Sequence, residues 1–205
     1  MSELIQNNSL PVMEHFYTLQ GEGAYTGNAA YFMRLGGCDV GCVWCDVKES
    51  WDINAHPQIT IQNIVSFISD AKSPIAVITG GEPLMHNLDA LTESIQSKGI
   101  RTHIETSASH PLSGNWDWIC VSPKKFKAPV PEILITANEL KVIIFNKSDF
   151  EWAEKHASMV GNNCQLFLQP EWDQQSKMLP LIIEYVKQNP KWKIGLQTHK
   201  WMQIP

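Results

Sequence analysis

Three cysteines, Cys38, Cys42 and Cys45, fall within eight residues in the order C-x3-C-x2-C. Thiolates so closely spaced let one loop wrap a single iron–sulfur cubane. Three protein ligands leave one iron without a protein donor, as a small molecule requires if it is to bind the metal directly. The competing reading is a structural zinc site, which needs four ligands. The nearest histidine, His56, lies eleven residues past Cys45, and no second cysteine pair is present. The spacing therefore favours a cluster and leaves a zinc site with a distant histidine as the alternative. Cys120, between Ile119 and Val121 on an expected strand, reads as a core thiol, and Cys164 as structural. An odd cysteine count points away from a disulfide framework.

The triplet must be held by something rigid, and the flanking pattern says what. Residues 29–35 (AAYFMRL) read as a strand ended by Gly36-Gly37. Residues 59–71 carry Ile61, Ile64, Val65 and Ile68 at helical spacing. Ile75–Thr79 is a short buried strand running into Gly80-Gly81-Glu82-Pro83. Further on, strands are expected at 100–105, 118–121, 139–145, 164–168 and 192–197, and helices near 87–98, 131–138, 149–159 and 175–188. Roughly six strands separated by helices imply parallel pairing through right-handed crossovers. About six βα units cannot close an eight-stranded barrel. The expected fold is α/β, an open, partial TIM-like barrel whose active site lies at the C-terminal strand ends. The cysteine loop and Gly80–Pro83 both fall on that rim.

Bulk properties bound the function. The chain has 205 residues, which suits one domain over 1–205, and no linker or repeat divides it. Sixteen Lys and Arg against 21 Asp and Glu give a net charge of −5, which argues against nucleic-acid binding. No apolar run is long enough to cross a bilayer. The N-terminus, MSELIQNNSLPVMEHF, has no basic start followed by an apolar block, so the cytoplasm is the expected compartment.

The triplet after a strand, with Trp44 just before the third cysteine, resembles the radical S-adenosylmethionine superfamily. There the amino and carboxylate groups of S-adenosylmethionine chelate the unique iron of a [4Fe–4S] cluster. Gly80-Gly81-Glu82-Pro83 is similar to that superfamily's GGEP motif: glycines admit a ligand close to the backbone, and Glu82 can accept from an ammonium.

The resemblance narrows further. Leu19-Gln20-Gly21-Glu22-Gly23, Thr26-Gly27, Arg34, Trp44-Cys45-Asp46, Thr79–Pro83, Glu105-Thr106-Ser107, Val121-Ser122-Pro123-Lys124, Leu168-Gln169-Pro170 and Gln197-Thr198-His199-Lys200 occur in order. That series resembles the 7-carboxy-7-deazaguanine synthase family of queuosine and deazapurine biosynthesis, which serves tRNA modification. It implies a carbon–nitrogen lyase. S-adenosylmethionine is cleaved to a 5′-deoxyadenosyl radical, which takes a hydrogen from C6 of 6-carboxy-5,6,7,8-tetrahydropterin. The ring contracts, ammonia leaves and the cofactor is regenerated.

The resemblance also implies residue roles. Leu19, Gln20, Gly21, Arg34, Thr79 and the terminal carboxylate of Pro205 would contact substrate. A guanidinium matches a carboxylate in bidentate geometry, although Arg34 read alone is equally a surface ion pair. Trp44, Cys45, Asp46, Gly81, Glu82, Ser122, Pro123, Lys124 and Gln169 would form the S-adenosylmethionine pocket. Read alone, Lys124 is equally a solvated charge beside Lys125 and Lys127, and His199 is either structural or part of the substrate end. The family also implies a homodimer reduced by a donor such as flavodoxin or ferredoxin. One departure stands out. The residue after Cys-Asp is commonly Thr or Ser there, and its hydroxyl ligates Mg²⁺; here it is Val47. Mg²⁺ either stays on substrate, water and a carboxylate such as Asp46 or Glu49, or is dispensed with, and weak Mg²⁺ dependence is expected. Other readings are a glycyl-radical-enzyme activase, which would act on a protein partner, and a zinc-stapled module without redox chemistry.

Overall fold

A computed structural model describes residues 8–205. The expectation for the N-terminal leader therefore lies partly outside the described residues, as does the start of the 1–205 domain. Nine strands form one sheet in the order β3-β1-β2-β4-β5-β6-β7-β8-β9. From β2 (Ala29–Leu35) the pairing runs parallel through β4 (Ile75–Gly80), β5 (Arg101–Thr106), β6 (Trp118–Val121), β7 (Glu139–Ile144), β8 (Gln165–Pro170) and β9 (Trp192–Ile194). The two edges, β3 and β9, do not pair, so the barrel stays open as the strand count requires.

Between the parallel strands run α1 (Ile61–Asp70), α2 (Asp89–Gln96), α3 (Pro131–Thr136), α4 (Asp149–Ala157) and α5 (Gln175–Gln188). The apolar stripe of α1 is the expected one: Ile61, Ile64, Val65 and Ile68 are buried, and Thr60 caps the helix by accepting from the Asn63 amide. Helix α5 carries Pro180 inside its span.

Three elements differ from the sequence reading. β1 (Ser9–Leu19) was not expected; it pairs antiparallel with β2, and its mixed burial, with Pro11 inside, hides any clean alternation. Ile59 and Thr60, read as the start of a helix, instead belong to the short strand β3 (Gln58–Thr60), which pairs with Ser9–Pro11. The final strand stops at Ile194, and a five-residue helix, α6 (Thr198–Met202), follows. The segment between β5 and β6 carries no helix. β1 covers the open edge of β2 and delivers the loop 20–28 back across the barrel. That delivery is what it contributes to the site.

Candidate active site

The C-terminal ends of the parallel strands open onto one cavity of about 270 Å³. Its wall includes Cys38, Cys42 and Cys45 from the loop after β2, Thr79, Gly80 and Gly81 from the end of β4, and Ser122 and Lys124 beyond β6. Gln169 on β8, Leu19, Gln20 and Gly21 from the β1–β2 loop, and Pro205 complete the expected set, together with Arg34, Trp44 and Asp46. Residues dispersed over the whole chain thus meet in one place. Pro123 and Glu82 do not line it.

The three thiols sit on a tight loop, with the Cys45 amide donating to the Cys42 carbonyl at 3.1 Å. Burial pushes the Cys38 thiol up and the Cys42 thiol up to about 11. Burial favours the neutral thiols, and iron would stabilise the thiolates. The three thiols share one loop and one cavity wall, an arrangement that suits a single cluster. The loop is braced by Gly81: a Cβ there would lie 2.7 Å from Cys38 Cβ, so only glycine lets the two rim loops touch.

Glu82 lies behind the cavity wall. Its carboxylate is buried and accepts from the Leu84 amide (3.0 Å), Thr106 Oγ1 (2.5 Å), and the amide and Oγ of Ser107 (2.8 and 2.5 Å). Glu82 ties the β4 loop to the end of β5, and Thr106 and Ser107 are thereby placed in the cavity wall.

On the opposite side lies a charge network that sequence reading did not assign. Lys141, on β7, is buried and bridges Glu22 and Glu105, the latter at 3.1 Å. Gln20 Nε2 donates to Glu105 Oε1 at 2.8 Å, and Gln20 Oε1 accepts from the Glu22 amide at 3.1 Å. Burial would raise the Glu22 carboxyl, but the adjoining Lys141 ammonium and its hydrogen bond hold it down to about 2. The same burial would lower Lys141, yet Glu105 and Glu22 push it well above its ordinary value. Glu22 and Glu105 stood inside quoted motifs; Lys141 sits in a plain strand, and only the register of β5, β7 and the incoming loop reveals it.

The C-terminal segment closes this side. The Thr198 amide and Oγ1 both donate to the Gly21 carbonyl at 2.9 Å. The Ile204 amide returns to the His199 carbonyl, turning Pro205 into the cavity wall. His199 also lines the cavity and packs on Gly21. Lys200 Nζ reaches Asp46 Oδ2 at 3.1 Å and lies over the Trp172 ring. Arg34 uses Nε alone to meet Glu14 Oε1 at 2.6 Å.

The cofactor side is less complete. Lys124 donates to Ser122 Oγ at 2.6 Å and sits over the Trp44 ring, 5.2 Å from its centre, with burial lowering its ammonium from the ordinary lysine range. Among the described residues, Trp51 Nε1, His103 Nε2 and Gln169 Oε1 are buried side-chain atoms with no partner, and Trp51 and Gln169 line this cavity. An orphaned buried acceptor costs about 1–3 kcal/mol, which a bound ligand would recover. The donor set therefore fits a cluster with a polar cofactor beside it.

Comparison with known proteins agrees. The Radical SAM superfamily matches residues 34–122. A 7-carboxy-7-deazaguanine synthase of Flavobacterium psychrophilum is 53% identical over 196 residues, covering 96% of this chain and 93% of that protein. One from Synechocystis is 46% identical, covering 100% of this chain and 97% of its own. The crystal structure of QueE from Escherichia coli superposes with a TM-score of 0.84 at 29% identity, over 95% of this chain and 98% of that one.

Proposed function

The chain belongs to the 7-carboxy-7-deazaguanine synthase family, and from that premise we propose that its rim cavity contracts the ring of 6-carboxy-5,6,7,8-tetrahydropterin to 7-carboxy-7-deazaguanine, releasing ammonia as a carbon–nitrogen lyase. The observation that carries this is the meeting, in one cavity, of three thiols from a single loop with the Gln20–Glu22–Glu105–Lys141 network and the chain's last residue. When bound, a reduced [4Fe–4S] cluster and S-adenosylmethionine supply a hydrogen-abstracting radical.

Cys38, Cys42 and Cys45 would hold the cluster and leave one iron without a protein ligand, open to the cofactor. Gln169 Oε1 offers the cofactor a buried acceptor, Lys124 and Ser122 offer donors, and Trp44, Asp46, Gly81 and Pro123 shape the remaining wall. Glu82 acts from behind, fixing Thr106 and Ser107. On the other side the two terminal nitrogens of Arg34 grip the substrate carboxylate while Glu14 fixes its Nε. Leu19, Gln20, Gly21 and Thr79 position the ring, and Pro205 closes the pocket. Val47 lines the cavity without a donor oxygen, and Asp46 is already paired with Lys200. These residues do not make a dedicated Mg²⁺ site, so no step is routed through Mg²⁺.

We place the reaction in one domain over 1–205, working as a homodimer in the cytoplasm. All five cysteines are free, as a reducing compartment allows. No helix of the described residues is long and apolar enough to cross a membrane. A flavodoxin or ferredoxin supplies the electron.

The test is an anaerobic assay of reconstituted protein with the pterin acid, S-adenosylmethionine and dithionite. Expected is conversion of the pterin to a product lighter by one ammonia, with no protein partner added. An unchanged pterin, with glycyl radical formed on an added protein, would establish the activase reading instead.

A further inference from the structure

Alternation along three neighbouring strands sets side chains inside the barrel in tiers. The inward residues are His103 and Glu105 on β5, Trp118 and Cys120 on β6, and Glu139 and Lys141 on β7. Below Lys141 the others surround a second, smaller chamber of about 10 Å³. Gln20, Glu22 and Glu105 line both cavities and so form a partition between them. Two acceptors in the lower chamber lack a good donor. His103 is 3% exposed, and its Nε2 has no partner. Glu139 Oε2 accepts from the Ala24 amide (3.1 Å) and Trp118 Nε1 (3.2 Å), whereas Oε1 has the weak Cys120 thiol at 3.5 Å. Three carboxylates and no lysine or arginine line the chamber. Lys141 answers Glu22 and Glu105 from above, but Glu139 has no salt-bridge partner among the described residues. Burial raises the Glu139 carboxyl above its ordinary value although Lys141 opposes the shift. Burial and the Arg101 guanidinium lower the His103 imidazolium to about 4 against the pull of Asp117, so the ring is neutral and one of its nitrogens is an acceptor.

We propose that this lower chamber is an ammonium site, held by His103 Nε2, Glu139 and the partition carboxylates, and that it receives the ammonia released in the cavity above. The receiving role rests on the reaction proposed for the upper cavity, whereas the ammonium site stands on the chamber alone. A cavity of about 10–15 Å³ holds one water-sized guest. Water brings two donors and has lone pairs of its own to satisfy, in a chamber where acceptors already outnumber donors. Ammonium brings four N–H donors, no lone pair, and a positive charge for the carboxylate that the protein leaves unpaired. Potassium matches its size but has no hydrogen to direct at an imidazole nitrogen. Tyr25 forms the far wall, edge-on to His103 with 4.5 Å between ring centres, and its hydroxyl accepts from Arg101 at 2.6 Å. Of the two products of the proposed reaction, ammonia is the one small enough for this chamber. Taking up the Glu139 proton leaves an ammonium beside a carboxylate: one N–H bond forms, one O–H bond breaks, and no other reactant is needed.

The experiment uses cluster-loaded enzyme without substrate. Its urea unfolding midpoint is followed as ammonium chloride replaces sodium chloride at constant ionic strength, for the wild type, Glu139→Gln, His103→Leu and His103→Gln. A ligand that binds only the folded chain raises the midpoint with its concentration, so the series yields Kd for ammonium. Glu139→Gln and His103→Leu are each expected to weaken that Kd about tenfold or more. His103→Gln, which keeps an acceptor oxygen, is expected to recover most of the loss. The readout is the response to ammonium, so a variant's own stability does not enter it, and should His103→Leu fail to fold, Glu139→Gln decides. A wild-type midpoint no different in ammonium than in sodium would mean that the chamber holds a water and would overturn the proposal. A response that survives unchanged in Glu139→Gln would place the site elsewhere and overturn it equally. In turnover, added ammonium is expected to inhibit the wild type and to inhibit Glu139→Gln about tenfold more weakly; equal inhibition would remove the receiving role. Failure to convert the pterin acid would sink the reaction, while the Kd measured without substrate would still decide the ammonium site.

Discussion

Two lysines face the same cavity and live in opposite environments. Lys141 stands between Glu22 and Glu105, and both carboxylates push its ammonium well above the ordinary range. Lys124 has a hydroxyl and an indole face but no carboxylate within salt-bridge distance, and burial pulls its ammonium down. The contrast extends to their surroundings. The charge of Lys141 is answered by the protein's own carboxylates. Lys124 shares the cavity wall with three free thiols and the orphaned oxygen of Gln169. The half of the cavity around Lys141 is paired within the protein, whereas the half around Lys124 keeps polar groups that a ligand could engage.

Removing Lys141 should break this contrast most severely. Lys141→Met leaves two half-buried carboxylates without their cation and is expected to cost about 3 kcal/mol of stability, measured by urea unfolding. Acid should reveal the same pairing. Glu22 titrates near 2 in the folded chain against an ordinary 4.5, so its contribution is complete above about pH 4.5 and is lost as pH falls through about 2. The stability gap between wild type and Lys141→Met should therefore narrow across that window. A gap independent of pH would mean that the ion pairs contribute nothing.

Lys124→Met is expected to behave in the reverse manner. Taking away a cation that has no carboxylate should change stability by less than about 1 kcal/mol. Affinity for S-adenosylmethionine, measured by equilibrium dialysis, should instead drop roughly 10–100-fold, the worth of a charge-assisted contact. Equal loss of stability in the two lysine variants would erase the distinction drawn between the halves. The smallest effect is expected at Val47. Val47→Thr restores a hydroxyl beside Asp46 and should make turnover respond more strongly to added Mg²⁺, without moving the unfolding midpoint.

How much of this was legible in the sequence follows the same division. The cluster loop is local: Cys38, Cys42, Cys45 and Trp44 lie within eight residues, so spacing alone brings them together, whereas Ser122, Lys124 and Gln169 reach the same wall only through the strand order. The strand at 29–35 and the stripe of α1 were equally readable, since each declares itself within a few residues. Lys141 was not, because ELKVII reads only as a strand until β5 and the β1–β2 loop are laid beside it. β1 itself escaped because Pro11 and a mixed burial pattern obscure its alternation. Glu82 was visible as a motif residue, but the four donors that hold it, from Leu84, Thr106 and Ser107, are a closure only the fold produces.

The central claim is that three thiols hold a cluster whose fourth iron is reserved for the cofactor. Iron, sulfide and zinc analysis of anaerobically reconstituted protein, joined to electron paramagnetic resonance of the reduced form, tests it directly. The expected result is about four irons and four sulfides per chain, with a resonance that shifts when S-adenosylmethionine is added and is altered by Cys45→Ser. A colourless chain holding one zinc, or a resonance indifferent to S-adenosylmethionine, would contradict it.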